Sequence, residues 1–143
     1  VTPTTLKMDQ EALSQFLISE FPQVAHMFAI DALAPMAATV RLLNDERHLR
    51  PGGTVSGPAM FALADVAVYL AIMAMIGPKA LSVTTNCSID FMRKPAAGVD
   101  LICHTRLLKL GRVLAVGECL IYSEGHDTPV ARAALTYSIP PAP

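Results

Sequence analysis

Residues 57–77 read GPAMFALADVAVYLAIMAMIG, a run of 21 residues whose single charge is Asp65. No other segment constrains the fold as strongly. Once helical, such a run is hydrophobic on every side, so the rest of the structure must cover it all round. Pro58 suits the first helical position and makes Gly57 the N-cap, and Gly77-Pro78 stops the helix, giving a central helix over about 58–76. Its length barely suffices to cross a bilayer. Against a membrane span stand Asp65 near the centre and the alternating, strand-like sequence that follows. The early chain, TPTTLKMDQEALSQF, is polar and then amphipathic, unlike a secretory signal. The expectation is a buried helix in a soluble, cytoplasmic protein.

The flanking segments supply the cover. Asp9 is placed to cap a helix over about 9–21 with Leu13, Phe16, Leu17 and Phe21 along one face, and Pro22 ends it. Two strands are expected around 24–30 and 37–43, and NDERHLRPGG, 44–53, reads as a loop. Everything after residue 80 reads as β. In LSVTTNCSIDFM, Leu81, Val83, Cys87, Ile89 and Phe91 alternate with Ser82, Thr84, Asn86, Ser88 and Asp90, the period of a half-buried strand. Strands over 101–110 and 112–123 meet at Gly111, and EGHD turns into a last one over 130–139. Short turns make these four strands largely an antiparallel meander. A sheet curled round one apolar helix is an α+β architecture, in a single domain spanning 1–143.

Composition adds one requirement. Only 16% of the chain is charged, against about 25% for an average soluble domain. A monomer this apolar exposes hydrophobic surface, so subunit interfaces are expected to cover part of it. The formal net charge of −1 gives no reason to expect a nucleic-acid partner. Cys87, Cys103 and Cys119 lack CxxC spacing and are expected to be reduced, buried thiols. The four histidines form no metal-ligand spacing, and no metal is expected.

The chemistry is concentrated in GGTVSGPAMFALAD. Gly57 lies at the positive end of the helix dipole with an N–H that has no partner inside the helix. Lacking a Cβ, it lets a carbonyl oxygen approach, and Pro58 contributes no competing donor. An N–H aimed at a carbonyl is half of an acyl-transfer site, and a carboxylate that activates water or attacks directly is the other half. Asp65 lies roughly 10 Å further along the axis, so the halves do not meet within one helix. Two antiparallel helices side by side bring Gly57 of one to Asp65 of the other, which implies a site shared across a two-fold dimer.

RPGGTVSGPAMFALADVA, followed by LSVTTNCSIDFMRKPAAGVDL, LLKLGRVLAVGECLIYSEG and PVARAALTYSIP, resembles the hotdog-fold acyl-CoA thioesterases of the phenylacetate-degradation (PaaI-like) family, over roughly residues 40–140. The resemblance implies a hotdog fold assembled as a dimer, commonly a dimer of dimers, hydrolysing acyl-CoA to free acid and CoA. It needs no cofactor beyond the CoA of the substrate, and no metal. The family's helix-start glycine maps onto Gly57 and its helix carboxylate onto Asp65, contributed by the facing subunit as general base or nucleophile. A strand hydroxyl that positions water in some relatives maps onto Thr84. Arg93, Lys94, Lys109 and Arg112 are candidates for the CoA phosphates and adenine, and Met60 and Phe61 for the acyl chain.

Two departures matter. Many members begin the helix with His-Gly-Gly, whereas this chain has Ser56-Gly57-Pro58, and a frequent Asn six residues before that His is here Arg50. Ser56 can hydrogen-bond but carries no proton at neutral pH as His does. Arg50 has the chemistry to bind a carboxylated acyl group or a phosphate. Two other readings remain open at this point: a hotdog enoyl-CoA hydratase or dehydratase, which is short of a suitable His, and a non-catalytic acyl-CoA binding protein.

Overall fold

A computed structural model of the chain describes residues 5–141. Helix α1 (Gln10–Glu20) starts where Asp9 Oδ1 accepts the Ala12 N–H at 2.8 Å, and it buries Leu13, Phe16 and Leu17. Pro22 ends it but also opens a short second helix, α2 (Pro22–Ala25), because proline is well suited to a first helical turn. The first strand therefore begins later than periodicity suggests. β1 (Phe28–Ala34) and β2 (Ala37–Leu42) form a hairpin, and the polar loop after it holds one 3-10 turn, Glu46–His48.

The central helix α3 spans Gly57–Ile76. It is long and apolar enough to cross a membrane, with mean hydropathy 2.2, yet 78% of its most apolar stretch is buried inside the fold. From Leu63 onward Asp65 is its one residue before Ile76 that is not fully buried. The exception lies towards the N-terminus: Pro58 and Phe61 are exposed and Ala62 and Asp65 are half-covered, so one stripe of the helix is left uncovered by this chain. Gly117 marks the tightest contact with the sheet. A Cβ there would lie 3.2 Å from the Val68 methyl groups, so any other residue would need Val68 to give by a few tenths of an ångström.

Four more strands complete the cover: β3 (Val83–Phe91), β4 (Leu101–Leu110), β5 (Leu114–Ser123) and β6 (Ala131–Ser138). All pairings are antiparallel, in the order β1-β2-β4-β5-β6-β3. This is the expected α+β hotdog arrangement of a curved sheet around one helix. The meander, however, holds only for β4, β5 and β6. β3 does not pair with its successor β4 but crosses to the far side and pairs with β6, and it becomes an edge.

That edge position changes two expectations. β3 is much less covered than alternation implies: Val83 is 55% and Phe91 52% exposed, and Cys87 is only half-buried, unlike Cys103 and Cys119. The ladder also slips by one residue between Thr84 and Asn86, leaving Thr85 as a bulge. A one-residue slip exchanges the faces of a strand. Thr84 is therefore on the helix-facing side with Cys87 and Ile89, not on the polar side where strict alternation puts it.

Candidate functional site

The carboxylate of Asp65 is held by two hydroxyls. Thr84 Oγ1 donates to Asp65 Oδ1 at 2.5 Å, and the Tyr137 hydroxyl lies 2.8 Å from the same oxygen and 2.9 Å from the Asp65 main-chain carbonyl oxygen. Thr84 and Tyr137 are opposed in the β3–β6 ladder, so one register position delivers both donors. Burial and the neighbouring Asp65 charge push the Tyr137 phenol far above its ordinary range, so it stays protonated and donates at neutral pH. Oδ2 takes no hydrogen bond among the described residues. Asp65 lines an open cleft of about 520 Å³ with Glu20, Tyr69, Ser82, Thr84 and Tyr137. A carboxylate fixed through one oxygen, with the other unpaired, is arranged to take a proton from water or to attack a carbonyl carbon.

Sequence reasoning alone misses Tyr137, although a signal is present. It sits at an inward position of β6 with Ala131, Ala133 and Leu135, and a buried tyrosine hydroxyl normally finds a partner. Asp65 is the one carboxylate that the apolar helix offers.

The start of α3 presents a donor. Ser56, not Gly57, is the N-cap: its Oγ accepts the Ala59 N–H at 3.3 Å and its carbonyl oxygen accepts the Met60 N–H at 3.1 Å. A serine hydroxyl caps better than a glycine, and proline is as tolerable at the second helical position as at the first, since neither N–H has an intrahelical partner. Capping occupies the Ser56 oxygen. Pro58 has no N–H, so Gly57 carries the one N–H of this first turn without an acceptor among the described residues. The Phe91 ring closes over it from the end of β3, 3.4 Å from where a Cβ would be.

Gly57 lines a cleft of about 310 Å³ together with Arg50, Thr54, Met60, Arg93 and Lys94. A second opening of about 380 Å³ places Phe61 beside Gly57 and Phe91. Arg93 and Lys94 also border a neighbouring cleft of about 690 Å³ with Ser123 and His126. The fold thus brings Arg50, Met60, Phe61, Arg93 and Lys94 around Gly57. Lys109 and Arg112 are exposed by the β4–β5 turn and line none of these clefts.

Within one chain the two halves remain apart. Gly57 lies with Phe91 at one end of β3 and Asp65 with Thr84 at the other, and their clefts share no lining residue. Among the described residues, no cluster of three or more His, Cys, Asp or Glu side chains is placed to hold a metal ion.

Comparison with known proteins shows the family. Residues 52–130 match the family model described as the thioesterase superfamily. The chain is 31% identical to a candidate esterase of Pseudomonas aeruginosa over 110 residues, covering 77% of this chain and 79% of that one. Among solved structures, a candidate thioesterase of a Silicibacter species is 59% identical, with TM-score 0.91 over 97% of this chain and 96% of that one. The phenylacetic acid degradation protein PaaI of Thermus thermophilus, solved as a point mutant, is 28% identical, with TM-score 0.71 over 83% of this chain and 99% of that one.

Proposed function

This chain belongs to the thioesterase superfamily and is a thioester hydrolase, and from that premise we propose that it hydrolyses acyl-CoA thioesters at a site shared by two subunits. The observation that carries the reading is the state of Asp65, pinned through Oδ1 by Thr84 and Tyr137 with Oδ2 unpaired. The Gly57 N–H donates to the thioester carbonyl oxygen and stabilises the charge that grows there. Oδ2 of the facing subunit's Asp65 takes a proton from water as the water oxygen bonds to the carbonyl carbon. The tetrahedral intermediate then collapses, the C–S bond breaks, and the CoA thiolate leaves. Direct attack by Oδ2, with later hydrolysis of the anhydride, is the other route open to the same carboxylate. Ser56 serves the site by capping the helix that presents Gly57.

The shared site follows from the edge strand. Among the described residues β3 pairs on one side only, and its Ile89 and Phe91 border Pro58 and Phe61 of the uncovered stripe of α3. A two-fold axis near the middle of β3, at Cys87–Ser88, joins two such edges antiparallel and sets Thr84 of one subunit against Phe91 of the other. Since Thr84 bonds Asp65 and Phe91 covers Gly57, that pairing brings the two half-sites together. It also buries exposed apolar surface at Phe61, Val83 and Phe91. A further pairing of dimers into a tetramer is compatible with the apolar surface that remains. Arg93 and Lys94 face the CoA phosphates from the neighbouring cleft with Ser123 and His126, which neither Gly57 nor Arg50 lines, while Met60 and Phe61 meet the acyl chain. No metal is required, and the only coenzyme is the one carried by the substrate.

Thiol release from a panel of short, medium, aromatic and dicarboxylic acyl-CoAs tests the activity. Hydrolysis of one class well above the uncatalysed rate supports the reading. Tight acyl-CoA binding without hydrolysis across the panel would replace it with a binding function. Within an active panel, Tyr137→Phe is expected to lower kcat by about tenfold, because Asp65 keeps Thr84 but loses its second donor. Its thermal midpoint should fall by only about 3 °C, the effect of one net hydrogen bond in a domain of this size. An unchanged kcat would remove Tyr137 from the site.

A further inference from the structure

The cleft beside Gly57 is lined by three cations, Arg50, Arg93 and Lys94, and by no acid. Arg41, Arg47, Arg106 and Arg132 each pair with a carboxylate, whereas Arg50 has no such partner among the described residues. Thr54 lines the same cleft, is 6% exposed, and its Oγ1 has no hydrogen-bond partner among the described residues. A buried hydroxyl without a partner is uncommon and calls for one.

The loop geometry fixes these two residues together. Leu49 and Val55 form a bridge, the Arg50 N–H donates to the Thr54 carbonyl at 2.9 Å, and the Gly53 N–H donates to the Arg50 carbonyl at 3.0 Å. Gly52 and Gly53 take positive φ at the tip, which glycine adopts without strain. This small hairpin runs straight into Ser56 and Gly57, so the exposed Arg50, whose guanidinium lies beside Gly52 at the tip, and the unpaired Thr54 hydroxyl line one cleft with Gly57, whose N–H is assigned to the thioester carbonyl. An anion held there lies near the reacting carbon. The CoA diphosphate does not, because the whole pantetheine arm separates it from the sulfur.

Resting on the thioesterase reading above, we propose that Arg50 and Thr54 form a carboxylate subsite for the acyl group, and that the preferred substrates are CoA monothioesters of short dicarboxylic acids. The Arg50 guanidinium supplies the charge and a planar pair of donors, and the Thr54 hydroxyl adds a third.

The test compares kcat/KM for succinyl- and adipyl-CoA with butyryl- and hexanoyl-CoA, matched in carbon number. The wild type is expected to favour the dicarboxylic member of each pair by about tenfold or more. Arg50→Gln should lower that ratio by about tenfold or more, and Thr54→Val should lower it less. The ratio cancels any effect the variants have on both substrates alike. The same pairs as pantetheine thioesters, which lack the nucleotide phosphates, should keep the preference. If Arg50→Gln instead slows both members equally, and that loss disappears with pantetheine thioesters, Arg50 binds a CoA phosphate and the proposal is overturned. Equal loss that persists with pantetheine thioesters overturns it too, assigning Arg50 to the carbonyl. A wild type that hydrolyses only the monocarboxylic substrates overturns the subsite while leaving the thioesterase intact. Failure on every thioester overturns both.

Discussion

Asp65→Asn is expected to lower thiol release by about 10²–10⁴-fold, the usual contribution of a positioned general base, with the oligomer and the thermal midpoint nearly unchanged. The asparagine amide matches the carboxylate in size, and its oxygen still accepts from Thr84 and Tyr137, so the packing between α3, β3 and β6 has no reason to change. What disappears is the unpaired basic oxygen. A variant as fast as wild type would mean that the carboxylate is structural. Single-turnover hydrolysis in heavy-oxygen water distinguishes its two routes. Activated water delivers label to the acid in the first turnover, whereas direct attack followed by water addition at the Asp65 side-chain carbonyl puts unlabelled Asp65 oxygen into the first product and label into the protein.

The second large effect is expected at the other half-site. Gly57→Pro deletes the one unpaired N–H of the first helical turn at a backbone position that suits proline, although its ring must move Phe91 aside, and should lower kcat by at least about 10²–10³-fold, the cost of one oxyanion donor. Circular dichroism should show the helix retained. Co-expression then tests whether the site is shared. Gly57→Pro and Asp65→Asn subunits, each nearly inactive alone, should recover activity together, because a hybrid dimer holds one site with both Gly57 and Asp65 intact. Failure to complement, with hybrids demonstrated, would mean that each subunit houses a complete site.

The legible parts of this molecule are those where local chemistry and burial agree. Asp9, Leu13, Phe16 and Leu17 announce α1, and the apolar run with one acid announces a helix that the sheet must enclose. The strands from 101 to 139 are readable because each alternates cleanly under a covered face, as Leu101, Cys103, Thr105 and Leu107 do. What stays hidden depends on pairing. Nothing local in residues 81–92 says that β3 bonds β6 across the fold rather than its neighbour in sequence. Nothing local marks the bulge at Thr85, so Thr84 is reached through a family resemblance while alternation places it on the wrong face. Tyr137 escapes for the same reason, since its value comes from lying opposite Thr84. The loop before Gly57 is legible as a loop, but the unpaired Thr54 hydroxyl beside Arg50 is visible only once the hairpin closes.

The order of the strands has a consequence for how the chain is made. Synthesis proceeds from the N-terminus, so α3 emerges before β4, β5 and β6, three of the strands that enclose it, have been translated. The most apolar segment of the chain must wait with only α1, β1 and β2 available to cover it, a species that invites chaperones. β3 waits as well, because its partner in the described sheet, β6, is translated only after β4 and β5. A chain stopped before residue 131 holds Gly57, Asp65 and Thr84 but lacks the tyrosine and the ladder that hold the acid in place. Thus the two features that make Asp65 usable arrive together with β6, and until then the nascent chain carries its acid without the setting that would let it react.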